Sequence, residues 1–324
     1  MEEVHNVALI NTDNINQKPF PHQLEAVLKI AKKMEYVFCL TGTPIPNHTK
    51  DIFNILKCIC HPLGDRFFQF AQRYCSPKYN GYGWDFNGSS HTEELNKLLL
   101  TKMLRRTKEQ LLDLPQKIRS FIPVKINHDE YVTKINEYME AREAFCNDGE
   151  HLVYLNAIRK FLAYQKIKTT INFTKNLIDQ DQQVVIFTNY TKVVDDIFKE
   201  FGDIAIKITG EQTPEQKQAA VDEFQDGNKK IAICNIIAGG TGITLTKAKT
   251  IVFNDYSWLP SDHAQAEDRI HRIGQTEKCT IYYMFGENTF DEDITNKLSE
   301  KLLNINKIVD NVNVSFLDLV KKAI

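Results

Sequence analysis

Short apolar runs recur through the second half of the chain. They are VVIFTN (184–189), IAIKITG (204–210), IAICNI (231–236), TIVFND (250–255) and TIYYMF (280–285). Stretches with helical spacing separate them: YTKVVDDIFKEFG after the first, and about 214–226 after the second, with Pro214 suited to a first turn. Runs that are apolar on both faces and spaced by helices predict a buried parallel sheet in an α/β layer fold. Residues 291–324 read as one or two terminal helices.

The first half is less regular. VALIN (7–11) and YVFCL (36–40) read as strands, and AVLKIAKKM (26–34) as a helix. Residues 61–92 form an aromatic, glycine-bearing insertion. Residues 93–170 are mostly polar and helix-compatible, and read as a connector.

Length and composition narrow the classes. The 324 residues favour two domains, and 42% apolar with 25% charged residues is ordinary for a globular protein. The net charge of −2 lacks the basic balance common in nucleic-acid binders, although a local basic stripe fits within a neutral chain. Seven cysteines form no CxxC pair. Cys58, Cys60 and His61 lie close together, but tetrahedral zinc needs a second ligand pair, and none is found. No metal site is therefore expected. Reduced cysteines and the absence of signal-peptide features at the start predict an intracellular protein, nuclear or cytoplasmic and not secreted. No apolar run reaches membrane-spanning length, so no membrane partner is expected.

Three motifs carry chemistry. QAEDRIHRIGQ (265–275), read as a helix, puts Gln265, Arg269 and Arg272 at i, i+4 and i+7 on one face. Two arginines in register suit a phosphate, which guanidinium binds through parallel hydrogen bonds; the plain reading is a solvated charged face. IIAGGTGITLT (236–246) follows a strand, and Gly239, Gly240 and Gly242 allow close backbone approach. LTGTPIPN (40–47) places Thr41 and Thr43 at another strand end. Open α/β sheets bind ligands at the carboxyl ends of their strands.

Together and in this order, these stretches resemble the Swi/Snf-type helicase-like ATPases of superfamily two. LTGTPIPN looks like motif III, VVIFTNY like motif IV, AGGTGITLTKAKTIVFNDYSWLP like motif V with its strand, and QAEDRIHRIGQ like motif VI. ITGEQTPEQKQAAVDEFQ and MLRRTKEQLLDLPQK (103–117) match further family blocks. RYCSPKYNGYGWDFNGSSHTEELNKLLL is similar to the annealing-helicase (HARP-like) subgroup, which rewinds DNA strands.

The resemblance implies a RecA-like helicase C-terminal lobe at 171–300. An incomplete first RecA-like lobe would precede it at 1–60, an insertion and helical connector would fill 61–170, and a C-terminal helix 301–324. It implies ATP and Mg2+ as cofactors and duplex or forked DNA as partner. Arg269 and Arg272 would be arginine fingers, with Gln265 positioning their helix or reaching nucleotide. Gly239, Gly240, Thr241 and Gly242 would couple nucleotide to DNA. Thr41, Thr43, Gly210 and Trp258 would face DNA.

The resemblance also breaks. GxxxxGK[ST] should cradle the phosphates, yet no Gly-Lys dipeptide occurs in the sequence. NTDN (11–14) stands where a DExH box belongs, leaving Asp13 one position off as a poor ligand for Mg2+. Three explanations stay open: a split ATPase whose P-loop half is a separate polypeptide, a truncated product, or a degenerate relative that binds without hydrolysis.

Overall fold

The computed structural model describes residues 7–11, 21–81, 83–144, 151–239 and 242–321. The chain divides into two compact units. The first comprises 1–106, 259–261 and 299–315; the second comprises 107–258, 262–298 and 316–324.

In the first unit, β1 (Val7–Asn11) and β2 (Tyr36–Leu40) pair in parallel, joined through α1 (Pro21–Ala31). Both predicted strands are present. Tyr36, Phe38 and Leu40 point to one side of β2 by the two-residue period, and all three are about half exposed. After α2 (Ile52–Cys58), the predicted insertion folds into α3 (Phe67–Tyr74) and a hairpin of β3 (Lys78–Tyr79) and β4 (Trp84–Asp85), and α4 (Thr92–Leu99) follows at its end. Its core gathers Ile52, Leu56, Phe70, Ala71, Leu95 and Leu99 with Ile308 and Val309. Buried Asn96 sits among them because its Nδ2 donates to the Ile308 carbonyl at 2.7 Å.

The second unit opens with α5 (Lys108–Leu111), β5 (Lys117–Val124), α6 (His128–Ala144) and α7 (His151–Ile178). It continues through β6 (Val184–Thr188), α8 (Thr191–Phe201), β7 (Ala205–Ile208), α9 (Pro214–Gln225), β8 (Ile231–Asn235), the one-turn α10 (Ile236–Gly239) and β9 (Thr250–Phe253). In chain order there follow α11 (Pro260–Glu267), whose residues from 262 belong to this unit, β10 (Cys279–Gly286), α12 (Phe290–Val309), whose residues up to 298 belong to it, and α13 (Phe316–Lys321). Six parallel strands form one sheet in the order β5-β10-β9-β6-β8-β7. This is the predicted α/β class.

The physical basis is direct. Val184 to Phe187 and Ile231 to Cys234 are fully buried, because helices cover both faces of a parallel sheet. Val193, Val194, Ile197 and Phe201 make the buried stripe of α8. Helix α9 starts where the sequence marks it: the Thr213 hydroxyl accepts from Gln216 N–H and the Gln216 side chain accepts from Thr213 N–H. An aromatic ladder crosses three strands, with Phe253 and Tyr283 stacked at 4.7 Å between Phe187 and Tyr256.

Two readings need correction. Residues 93–170 are not only a helical connector, since β5 within them is an edge strand of the main sheet. KIRSFIPV carries a lysine, an arginine and a serine, and an edge strand tolerates such polar positions. The helix read over 265–275 stops at Glu267. Beyond it the chain continues in turns, because the Arg269 carbonyl accepts from Leu245 N–H at 2.8 Å and is lost to the helix.

Candidate nucleotide and nucleic-acid site

The carboxyl ends of β6, β8 and β9 carry a polar rim. Asp255 follows β9 and is buried. It accepts from the Thr188 hydroxyl and from Asn189 through both its backbone N–H (2.9 Å) and its Nδ2 (2.6 Å). Asn235, ending β8, donates to the Asn189 carbonyl at 2.9 Å. These bonds lock three strand ends together and consume the charge of Asp255. Sequence reading passed over this residue, although it lies in the quoted TIVFND run.

The two arginines converge without a shared helix face. Arg269 Nη1 donates to the Ile243 carbonyl at 3.0 Å, and Arg272 Nη1 reaches the same oxygen at 3.4 Å and Thr244 Oγ1 at 2.9 Å. Arg269 Nε donates to the Gln265 carbonyl at 3.0 Å, so Gln265 contributes its backbone here. Among the described residues, these hydrogen bonds go to carbonyls and a hydroxyl, and none goes to a carboxylate. Burial, then the neighbouring Arg272 charge, hold the Arg269 guanidinium below its ordinary pKa. Two half-buried cations thus share one neutral oxygen.

Glu267, which the motif reading also missed, anchors the end of the helix that precedes them. Arg119 from β5 grips it through two bonds of 2.7 and 2.6 Å, Lys117 adds a third contact at 2.8 Å, and the Tyr283 hydroxyl donates at 3.1 Å. These partners keep the buried carboxyl far below its usual range against the opposing cost of burial. Gln275 closes the stretch. Its Nε2 donates to the Thr246 and Ala248 carbonyls at 3.1 and 2.9 Å, and its Oε1 accepts from Thr276 and Glu277 N–H. The segment 243–248 is thus clamped to 265–275 at both ends.

The remaining candidates separate. Gly239 ends α10 inside the core, where an added Cβ would lie 2.7 Å from Cys234 Cβ and 3.1 Å from Phe187 Cε1. Its smallness serves packing. Gly242 is exposed with φ +74°, a conformation that favours glycine. Gly210 is exposed past β7 with open space around it. Trp258 lies between Arg159 (4.8 Å from its ring centroid) and Lys297 (5.4 Å), with Phe290 edge-on. In the first unit, Thr43 N–H donates to Thr41 Oγ1 at 3.0 Å, an ordinary turn closure after β2. Asp13, Gly240 and Thr241 lie outside the described residues. Among the described residues, no group of three or more His, Cys, Asp or Glu could hold a metal ion.

A parallel six-stranded lobe with a glycine turn and paired arginines is the helicase C-terminal type of RecA-like lobe. Residues 165–274 match the helicase conserved C-terminal domain, and residues 22–165 match the SNF2-related domain. The chain belongs to the SNF2 family.

The SWI/SNF-related matrix-associated actin-dependent regulator of chromatin subfamily A-like protein 1 of Drosophila melanogaster is 31% identical over 86% of this chain and 38% of its own length. The Xenopus tropicalis protein of that name is 30% identical over 86% of this chain and 31% of its length. Human DNA annealing helicase and endonuclease ZRANB3 is 28% identical over 85% of this chain and 27% of its length. The chain spans about a third of the length of these relatives. The Sulfolobus solfataricus SWI2/SNF2 ATPase core domain shares the fold, with a TM-score of 0.51 and 22% identity over 98% of this chain and 69% of that one. No helix among the described residues is long and apolar enough to cross a membrane.

Proposed function

We propose that this chain is the motor portion of an ATP-dependent DNA translocase or annealing helicase, carrying motifs III to VI. The observation that carries the reading is the convergence of Arg269 and Arg272 on one carbonyl, that of Ile243. A terminal phosphate with three charged oxygens would displace that neutral acceptor, and both guanidinium groups would then offset charge building on the transferring phosphoryl group. Gln265 would steady their turn. Gly239, Gly240, Thr241 and Gly242 would carry nucleotide state toward DNA. Thr41, Thr43, Gly210 and Trp258 would face the DNA backbone, with little reading of sequence.

The residues fit only one side of an ATP–Mg2+ site. ATP would supply the phosphoryl group, and the arginines here would bind its terminal phosphate. A phosphate-cradling loop and acidic ligands for Mg2+ must come from outside these 324 residues, because the sequence has no Gly-Lys dipeptide and has NTDN at 11–14. The exposed apolar alternation Tyr36, Phe38, Leu40 on β2 supports that reading, since further strands and helices would cover it. The domain division 1–60, 61–170, 171–300 and 301–324 belongs to the same proposal. The name of ZRANB3 as a DNA annealing helicase supports DNA as partner.

The NTDN substitution favours a second reading, a relative that binds DNA or a protein partner without hydrolysis. Mixing the chain with an SNF2-type first lobe that carries an intact P-loop and DExH box separates the two. DNA-stimulated phosphate release that disappears with Arg269→Ala is the expected result. Failure to restore release, with both arginines intact and DNA still bound, would favour the second reading.

A further inference from the structure

The β3–β4 hairpin exposes two aromatic rings as a pair. Tyr79 and Trp84 are register partners, so both side chains stand on one face of the ribbon. Their ring centroids lie 5.7 Å apart, edge to face, at 62% and 56% exposure. The ribbon is too small to need them as core. Its turn is held by Asn80 N–H on the Gly83 carbonyl, Gly83 N–H on Asn80 Oδ1, Gly81 at φ +94°, and the Tyr79 hydroxyl, which donates to the Gly81 carbonyl at 3.2 Å. A second exposed ring follows on: Phe68 is 56% exposed and meets Phe86 edge-on at 6.2 Å.

One cation lies close by: Lys50 reaches Asn87 Oδ1 at 2.6 Å just past β4. Lys78 is exposed but stands on the other face of the ribbon from Tyr79 and Trp84. On α3, Arg66, Gln69 and Arg73 line an open cavity of about 170 Å3 with Tyr74. Arg73 is held by Glu94, whereas Arg66 is exposed. Asp85 is exposed on the other face of the ribbon, opposite Lys78, and accepts from Asn87 N–H at 2.9 Å. Exposed ring faces with cations nearby fit a polyanion that carries flat apolar groups. Duplex DNA hides its base faces, while an unpaired strand presents them.

We infer that Tyr79 and Trp84 form a stacking platform for unpaired DNA bases, with Lys50 and Arg66 meeting phosphates of the same strand. The inference rests on the DNA-binding reading above and names the strand that the first unit would contact. It makes the hairpin a sensor of single-stranded DNA, separate from the motif V and VI segments.

The test compares binding of a labelled 20-nucleotide oligothymidine and a blunt 20-base-pair duplex to the full chain by fluorescence anisotropy. Tyr79→Ala with Trp84→Ala should weaken oligothymidine binding by about tenfold or more, the loss expected for removed base stacking, with duplex binding changed less than about twofold. Trp84→Phe should restore most of the affinity. Unchanged oligothymidine binding in the double variant would overturn the platform and leave the DNA reading intact. Equal loss on both DNAs would also overturn it, pointing to a general electrostatic or folding effect. Wild-type chain that binds neither DNA would overturn both readings, and the hairpin would then be sought as a protein contact. Melting curves that match the wild type would show that the surface ribbon substitution left the fold in place.

Discussion

Arg119 and Glu267 meet through two parallel hydrogen bonds inside the second unit, and that pair anchors the end of the helix before Arg269 and Arg272. Glu267 is the last residue of α11, and Arg269 follows two positions later. Glu267→Gln would leave Arg119 and Lys117 facing a neutral amide in a buried place. A loss of about 3–5 kcal/mol is expected, as for other broken buried ion pairs. Urea denaturation of the purified chain measures it. A loss below about 1 kcal/mol would mean that solvent reaches the pair and that Arg119 does not organise this edge.

Two of the candidate glycines should divide by mechanism. Gly239→Ala forces a methyl group against Cys234 Cβ at 2.7 Å and the Phe187 ring at 3.1 Å. Neither neighbour can swing away, since both are fully buried strand residues. Overpacking should cost about 1–3 kcal/mol and shift the thermal midpoint down. Gly210→Ala meets nothing within 4 Å and should leave stability within about 0.5 kcal/mol. If Gly210→Ala nevertheless weakens DNA binding at unchanged stability, its proposed DNA-facing role gains direct support.

The parallel sheet was legible because burial on both faces writes itself as continuous apolar runs. Each of the five runs in 184–285 became a strand. Strand β5 was not legible, because KIRSFIPV has polar residues where its one open edge tolerates them. The arginines were legible as a pair, but for an incomplete reason. Their convergence comes from two bonds to one carbonyl after the helix has ended, and it depends on a backbone bond from Leu245, 24 positions away in sequence. Glu267 and Asp255 look like surface charge in any local window. Their partners arrive from β5 and β6, and no local pattern reports such distant contacts.

Acid should weaken the second unit before its carboxylates protonate. His263 Nε2 lies 3.1 Å from the Ser257 carbonyl, and His271 Nε2 lies 2.8 Å from the Pro115 carbonyl. Each must carry its proton on Nε2, which leaves Nδ1 buried without a partner. Burial holds both below the ordinary 6.5; Lys117 and Lys108 push His271 further down, while Asp268 opposes them. In the first unit, burial and then Lys301 and Lys50 lower His48 to about 4. Below pH 6.5 the unfolded chain therefore binds more protons than the folded one. Their stabilisation is fully present above 6.5 and is lost as pH falls toward the folded values. Thermal midpoints should drop between pH 7 and pH 5, and His271→Gln, which can keep the bond to Pro115, should flatten part of that drop. Below about pH 4.5 the Glu267 carboxyl adds its own loss, since its folded pKa is depressed.

Thr244 offers the sharpest test of how the arginines are held. Arg272 donates to its hydroxyl at 2.9 Å and shares the Ile243 carbonyl with Arg269. Thr244→Val keeps the shape and removes that acceptor, so Arg272 loses one of its two resting partners. A phosphate would then compete against less, and affinity for a nucleotide triphosphate should rise by a few fold once a P-loop-bearing lobe is present, because a neutral hydrogen bond is worth about 1 kcal/mol. Turnover should change little, since the hydroxyl is not asked to act in the transition state. Arg272→Ala should behave oppositely, cutting turnover by about 10³ or more while leaving the fold intact. Paired measurements of nucleotide Kd and steady-state phosphate release on the two variants distinguish the roles. If Thr244→Val instead lowers turnover as much as Arg272→Ala, the hydroxyl aims the guanidinium in the reacting complex, and the resting contact is part of the working geometry.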